Sequence, residues 1–182
     1  MPSCKSLTAL AKSCGKTQGG ATNELYLIAY DDLTKTNGKV YTEDTTKNMI
    51  SAFNIGAEPN VKKFVKVGVI NNSLSFTGEF AGSVENNSFG FDSTVNFNIS
   101  GITAESRAFV QNLAEVDSVV AVIKLKSGHY LSTGFDGYMS LATASMQSGL
   151  VSADLNGFTI SLSETGGVLP KLVDPTVIDT II

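Results

Sequence analysis

Apolar and polar residues alternate along the stretch 119–162, and glycines interrupt the alternation at short intervals. A period of two is typical of strands with one buried face, and glycine is favoured in tight turns. The pattern therefore predicts a β-meander in which a turn joins each strand to the next. The interrupting glycines are Gly128, Gly134, Gly137, Gly149 and Gly157.

The first half of the chain shows the same period most clearly at 89–99, where most odd positions are apolar and most even positions are polar. A further strand is predicted at 24–30, and because both of its faces are apolar we expect it to be covered on both sides. Another is predicted at 49–55. The segment 61–80 predicts two paired strands that turn at Asn71-Asn72.

One helix is predicted at 103–116. Thr103 is a suitable N-cap, and Glu105 in the first turn is favoured by the helix dipole. Apolar residues at helical spacing form one stripe, which indicates packing on a sheet. The whole pattern predicts a mainly β fold in a single domain over 1–182, a barrel or sandwich of antiparallel strands with one flanking α-helix. The stripe comprises Ala108, Phe109, Leu113 and Val116.

Three segments fall outside the regular pattern. Residues 1–20 form a leader in which 6–11 could make a short helix before glycines follow. The polar stretch 31–48 is long for a loop and could turn at Asn37-Gly38; it is either solvated or an arm that contacts a neighbouring subunit. The tail 166–182 is apolar but interrupted by prolines, so we expect an irregular segment that covers its own body or another subunit.

Charge is sparse in this protein. Charged residues make up 16% of the chain, against about 25% in typical domains, and the formal net charge is −4. Because lysine and arginine are not clustered, binding to nucleic acid through its phosphates is not expected. No apolar run approaches the roughly 20 residues of a spanning helix, and the N-terminus lacks a continuous apolar signal region. We therefore expect synthesis in a cytoplasm and no contact with membranes.

The ionisable residues are not grouped for chemistry. The single histidine, His129, lies at a predicted turn, and the pairs Asp31-Asp32 and Glu43-Asp44 diverge if the backbone is extended. Asp154 precedes an Asn-Gly turn and lacks the other acidic ligands of a calcium loop. No Gly-x-Ser-x-Gly elbow or phosphate-binding loop is present. We therefore predict no enzyme, no cofactor, and no catalytic, cofactor-binding or metal-binding residues.

The chain contains two cysteines, Cys4 and Cys14. We interpret them as reduced thiols, since cytosolic cysteines normally stay reduced. A disulfide or half of a metal site remains the alternative, although a zinc site needs about four ligands.

Several glycine-containing segments occur in a characteristic order. Ser13-Cys14-Gly15 and Gly19-Gly20 precede the strand at 25–28, and a helix precedes a strand pair. The segment 134–149 and then Asp154-Leu155-Asn156-Gly157-Phe158 follow. The chain resembles the tail tube proteins of long-tailed bacteriophages in the order of these segments, which cover most of its length.

The resemblance implies a β-barrel or sandwich that assembles with itself into hexameric rings. Such rings stack into a hollow tube, their inner sheets join into one wall, and DNA passes through without specific binding. It further implies a virion location and contacts with other tail or neck proteins. The segment 31–48 would then be an arm toward the next ring, and 166–182 a contact between subunits.

Other functions compete with this one. The same fold type serves neck and tail-terminator rings, so these positions in the virion are alternatives. A carbohydrate- or receptor-binding β-sandwich is an alternative from another class, and it would predict exposed aromatic side chains on one face. The chain has no tryptophan and five tyrosines, which disfavours that function.

Overall fold

The computed structural model describes residues 9–11, 15–16, 18–56, 61–83 and 85–182. Their strands form two sheets, and neither sheet closes on itself in the described part of the chain. The predicted mainly β fold with a flanking helix is thus confirmed as a sandwich rather than a barrel. The strands are β1 (Ala21–Ala29), β2 (Tyr41–Asp44), β3 (Met49–Phe53), β4 (Val65–Gly68), β5 (Ser75–Phe80), β6 (Phe91–Ser100), β7 (Val119–Leu125), β8 (Tyr130–Thr133), β9 (Ser140–Gln147), β10 (Gly157–Gly167) and β11 (Lys171–Val173), and the helices are α1 (Ala104–Glu115) and α2 (Pro175–Ile181).

The larger sheet has seven strands in the order β2-β3-β11-β8-β7-β1-β4. Strand β1, which lies between β7 and the edge strand β4, is buried on both faces from Leu25 to Ile28, as its continuous apolar sequence predicts. Leu25 and Leu27 point into one core, whereas Tyr26 and Ile28 point into the other. The sheet therefore separates two hydrophobic cores.

The smaller sheet has four antiparallel strands in the order β5-β6-β10-β9. Its inner face packs on the seven-stranded sheet through fully buried side chains such as Val95, Phe97, Ile160 and Leu162. Each large apolar side chain buried in this way stabilises the fold by roughly 1.5–3 kcal/mol. The strict alternation in β6 and β10 is thus explained by one buried and one solvated face.

The apolar tail covers the second core of its own chain. Asp174 caps α2 by accepting a hydrogen bond from the Thr176 N–H at 3.0 Å, and Pro175 occupies the first turn. Val177, Ile178 and Ile181 are buried in the core formed with β2, β3, β8 and β11. The expectation of an irregular tail is therefore wrong, because part of it is a strand and a helix.

The flanking helix is confirmed within one residue of its predicted ends. Thr103 Oγ1 accepts a hydrogen bond from the Ser106 N–H, and Ser106 Oγ accepts one from the Thr103 N–H. This reciprocal capping box satisfies two backbone donors at the start of α1. Leu113 is the buried residue of the predicted apolar stripe.

Two predicted strand pairings are wrong. The meander divides, since β7 and β8 pair in the seven-stranded sheet whereas β9 and β10 pair in the four-stranded sheet. The predicted hairpin in 61–80 also fails, because β4 pairs with β1 and β5 pairs with β6. The segment between β4 and β5 crosses from one sheet to the other, and its Ile70 N–H donates a hydrogen bond to the Asn98 carbonyl in β6.

The polar stretch 31–48 is only partly a loop. The predicted turn at Asn37-Gly38 is confirmed by positive φ angles of 53° and 76° and by the bridge between Thr36 and Lys39. Beyond it, however, the chain enters β2 and buries Tyr41 in the core. In the leader, Cys4, Cys14 and residues 6–8 of the expected short helix lie outside the described residues, and residues 9–11 are not helical.

Candidate functional site

The outer face of the four-stranded sheet consists almost entirely of uncharged hydroxyl and amide side chains. These side chains lie opposite one another across the ladders of β5, β6, β10 and β9. The only charged members are Glu79 and Asp92, which are paired in register at one end. A broad surface results that carries no cation. The uncharged members are Ser75, Thr77, Thr94, Asn96, Asn98, Ser140, Thr143, Ser145, Thr159, Ser161 and Ser163.

Strand β9 leaves one edge of this sheet without a partner among the described strands. Its eight residues include no charge, proline or glycine, and those from Ala142 to Gln147 are exposed. Natural proteins usually protect such edges with charges, prolines, bulges or a covering segment, because free N–H and C=O groups pair with other chains. Strand β9 carries one such bulge, where its register against Ser161 and Leu162 shifts. From Thr143 to Gln147, however, it presents no charge or proline, and this stretch is suited to pairing with another strand.

The opposite edge of the same sheet is β5, which is also exposed along most of its length. The four strands alternate in direction, so β5 and β9 run opposite ways. If a rotation places β5 of one copy beside β9 of another, the new pair is antiparallel like the rest of the sheet. The two edges are geometrically compatible.

Exposed apolar side chains collect at both ends of the four-stranded sheet. We call one end, where β5 and β10 finish, the aromatic end, and the other, which carries the 148–156 loop, the loop end. Phe80 and Phe89 contact each other at the aromatic end, with ring centroids 5.7 Å apart. Phe89 was predicted to lie within a strand, but β6 begins two residues later and the Phe89 ring is 67% exposed. Also exposed are Tyr138, Val168 and Leu169 at the aromatic end, and Ile102, Met146, Leu150 and Val151 at the loop end.

One carboxyl group is buried between the sheets. Glu164 is 2% exposed, and its Oε2 accepts hydrogen bonds from Thr133 Oγ1 at 3.0 Å and from the Gly134 N–H at 3.2 Å. Burial raises the pKa of Glu164 above its ordinary value of 4.5; the two hydrogen bonds lower this pKa, and the nearby Asp136 raises it. Ser93 lies opposite Glu164 in register, and its buried Oγ has no hydrogen-bond partner among the described residues. This arrangement is a polar cluster inside the sandwich.

A groove of about 480 Å³ runs between α1 and strands β1 and β4. Its wall is mainly apolar and includes Leu27, Val65 and Phe109. Ligand sites normally add several convergent polar groups to such a wall. Of the polar residues that line this groove, Lys62 lies 2.8 Å from the Asp32 carboxylate, and Lys63 Nζ donates to the Ile182 carbonyl at 2.6 Å. The other two are Glu105 and Asn112.

The residues considered for chemistry in the sequence are dispersed in the structure. His129 is exposed at the β7–β8 turn, and Glu43 pairs with Lys171 at 2.6 Å. Asp154 accepts hydrogen bonds from the N–H groups of Leu150 and Val151, and so it shapes the 148–156 loop. In the part of the chain that the structure describes, histidine, cysteine and acidic side chains form no cluster of three that could hold a metal ion.

None of the helices in the described ranges has the length and apolar character needed to cross a membrane. No model of a known protein family matches this chain, and no curated protein or solved structure matches it either.

Proposed function

We propose that this protein is a structural virion protein that assembles into rings of a bacteriophage tail tube. The observation that carries the proposal is the uncharged, exposed edge of β9 from Thr143 to Gln147, which lies across the same sheet from a second edge, β5. A head-to-tail contact between two different edges generates a ring when the rotation between copies closes. Self-pairing would also remove the exposed edges, which are otherwise sites of aggregation.

The dimensions of such a ring suit a wide channel. Six copies, each contributing its four strands, would close a barrel of about 24 strands. With strands about 4.8 Å apart and tilted by about 40°, opposite backbones would be about 50 Å apart. Barrels of 16 or more strands already enclose an aqueous lumen, so this ring would leave an open tube.

The chemistry of the outer face suits the passage of DNA. In the proposed ring the hydroxyl and amide face lines the lumen, with Glu79 and Asp92 at one end. DNA binds proteins mainly through cations that neutralise its phosphates, and this face has none. A polymer of negative charge would therefore slide along the wall without being held.

A neck or tail-terminator ring is the alternative position within a virion, since the same edges would close it. A tube protein adds rings without limit, whereas a terminator forms a single ring. The length of the assemblies that the pure protein forms therefore distinguishes these positions.

A charge placed at the β9 edge tests the proposal. Ala144 lies on the inner face of β9 and is exposed in the single copy, so Ala144→Lys leaves that copy folded but blocks pairing at the edge. Sedimentation velocity should show rings for the natural protein and single chains for the variant. Thr159→Lys is the matched control, because this side chain lies on the outer face of the same sheet but in the interior strand β10, away from either edge, and the ring should persist. Equal assembly of Ala144→Lys would contradict the proposal.

A carbohydrate-binding sandwich is the second candidate, and the exposed Phe80, Phe89 and Tyr138 favour it. Aromatic rings at one end of a sandwich, beside the Asp92 and Asp136 carboxylates, could stack on sugars and accept their hydroxyl hydrogen bonds. A chain that stays single at high concentration and binds glycans in an array, with binding lost in Phe89→Ala, would support this function instead.

A further inference from the structure

The two apolar ends of the four-stranded sheet lie at opposite ends of the same strands. Strand β10 runs from Gly157 at the loop end to Gly167 at the aromatic end, a span of 11 residues, or about 35 Å at roughly 3.3 Å per residue. In the ring proposed above, the edges β5 and β9 are used for closure around the axis. The loop end and the aromatic end then remain as the two axial surfaces of the ring.

The loop end presents a protruding apolar tip. Leu150 is 98% exposed, and Val151 beside it is 65% exposed. The tip is held in place, because the Asp154 carboxylate accepts hydrogen bonds from the N–H groups of Leu150 and Val151 at 2.8 and 3.0 Å. The loop therefore holds two apolar side chains outward in a defined conformation.

The aromatic end presents a receiving surface of the same character. Phe80 and Phe89 contact each other there while remaining more than half exposed. Glycines surround the pair, and Gly82 has no room for a side chain because an added Cβ would meet Phe80 and the Ser88 carbonyl. Contiguous exposed apolar surface of this kind marks interaction sites.

The aromatic end is the more acidic of the two ends. Glu79 and Glu85 are exposed there, and neither forms an ion pair with any described residue. The loop end carries Arg107 and Lys126 together with Asp154 and Glu105, so its acidic and basic groups are balanced. Two aromatic ends facing each other would bring like charges together, whereas an aromatic end facing a loop end would not.

We infer that the rings stack head to tail, with the Leu150-Val151 tip of one copy docked on the Phe80–Phe89 surface of a copy in the next ring. This inference rests on the proposed function and adds the axial partner to it. The contact joins two different surfaces of one chain, and so it repeats without closing and produces a tube.

The test compares two leucines of equal exposure. Leu150→Ser combined with Val151→Ser removes the tip, whereas Leu10→Ser removes a leucine that is 97% exposed elsewhere in the chain. Since each ring makes several such contacts at once, the double variant should lower the stacking constant by at least about 100-fold. Electron microscopy should then show single rings for the double variant, and tubes for the natural protein and for Leu10→Ser.

The outcomes separate the two proposals. Tubes of natural length from the double variant, or loss of tubes in Leu10→Ser, would overturn the axial contact while leaving the ring in place. A natural protein that stays a single chain would overturn both.

A photo-crosslinking residue at position 150 provides a positional measurement on the assembled protein. In mixed isotope-labelled and unlabelled tubes, mass spectrometry should find it joined to the peptide that carries Phe80 and Phe89 of another copy. Crosslinks confined to other peptides would overturn the axial contact.

Discussion

At the scale of single residues, Glu164 stands out because it is the acidic side chain buried among the described residues. Its pKa is raised by burial, so the protonated form is favoured on folding. The stability linked to this proton is complete below about pH 4.5 and is lost as the pH rises through the raised pKa. Once the pH exceeds the raised pKa, the ionised carboxylate is an unfavourable buried charge.

Glu164→Gln should stabilise the single chain at neutral pH, because the amide keeps an acceptor for Thr133 and removes the charge. The expected gain in the free energy of unfolding increases as the pH rises through the raised pKa of Glu164, because burial destabilises only the ionised form. Urea unfolding at pH 4 and pH 7.5 should show a gain that grows with pH. A gain that is independent of pH would contradict the assignment, and the exposed Glu79→Gln serves as control.

Gly134 and Gly128 share a left-handed backbone but differ in their surroundings. Their φ angles are 84° and 88°. A Cβ on Gly134 would lie 2.9 Å from the Met139 Cβ and would also meet the Val119 carbonyl, whereas nothing lies within 4 Å of Gly128. Gly134→Ala should therefore destabilise the fold by more than about 2 kcal/mol, and Gly128→Ala by only about 1–2 kcal/mol. Equal losses in urea unfolding would contradict the close packing at Gly134.

At the scale of elements, the start of α1 depends on the reciprocal bonds between Thr103 and Ser106. Thr103→Ala removes the acceptor for the Ser106 N–H and should lower the free energy of unfolding by about 1 kcal/mol. Thr103→Ser keeps the hydroxyl and should cost much less. Thermal unfolding followed by circular dichroism compares the two variants, and an equal loss in both would contradict the capping role.

The helix α2 should act as part of the core of the single chain. Ile181 is 1% exposed, and Ile181→Ala should cost about 2–5 kcal/mol, the usual range for a large side chain removed from a core. The neighbouring Ile182 is 44% exposed, and Ile182→Ala should cost far less. Denaturant unfolding below the concentration of assembly measures both, and similar small losses would mean that α2 does not contribute to the single-chain core.

Local signals explain which elements could be predicted. The N-cap Thr103 and the apolar stripe are signals within the α1 segment itself, and the alternation within β6 specifies its buried face. The pairing of β4 and β5 with distant strands was missed, because periodicity carries no information about which sheet a strand joins. A signal for α2 was present, since Asp174-Pro175 is a typical helix start and Val177, Ile178 and Ile181 have helical spacing.

The surroundings of Glu164 likewise could be predicted only in part from the sequence. Glu164 shares the even, inward positions of Phe158, Ile160 and Leu162 in β10, so its burial was detectable from the alternation alone. The donors Thr133 and Gly134 that contact it come from another sheet, and no local pattern indicates them. The neutral outer face likewise exists only because the fold places four separate segments side by side.

At the scale of the whole molecule, the account rests on a sheet whose two edges are free and compatible. The tail, which could have supplied a subunit contact, instead fills the core of its own chain through α2. The surfaces proposed for assembly are the β9 and β5 edges for closure and the two ends of the four-stranded sheet for stacking. Each surface has its own variant, so the two contacts can be lost independently.

Closed rings can be observed by cryo-electron microscopy of the purified protein at a concentration where sedimentation shows assembly. The expected result is rings in which β9 of each copy makes antiparallel backbone hydrogen bonds with β5 of its neighbour and the hydroxyl and amide face lines the channel. A protein that remains a single chain at every concentration, or assemblies in which the β9 edge faces solvent, would contradict it.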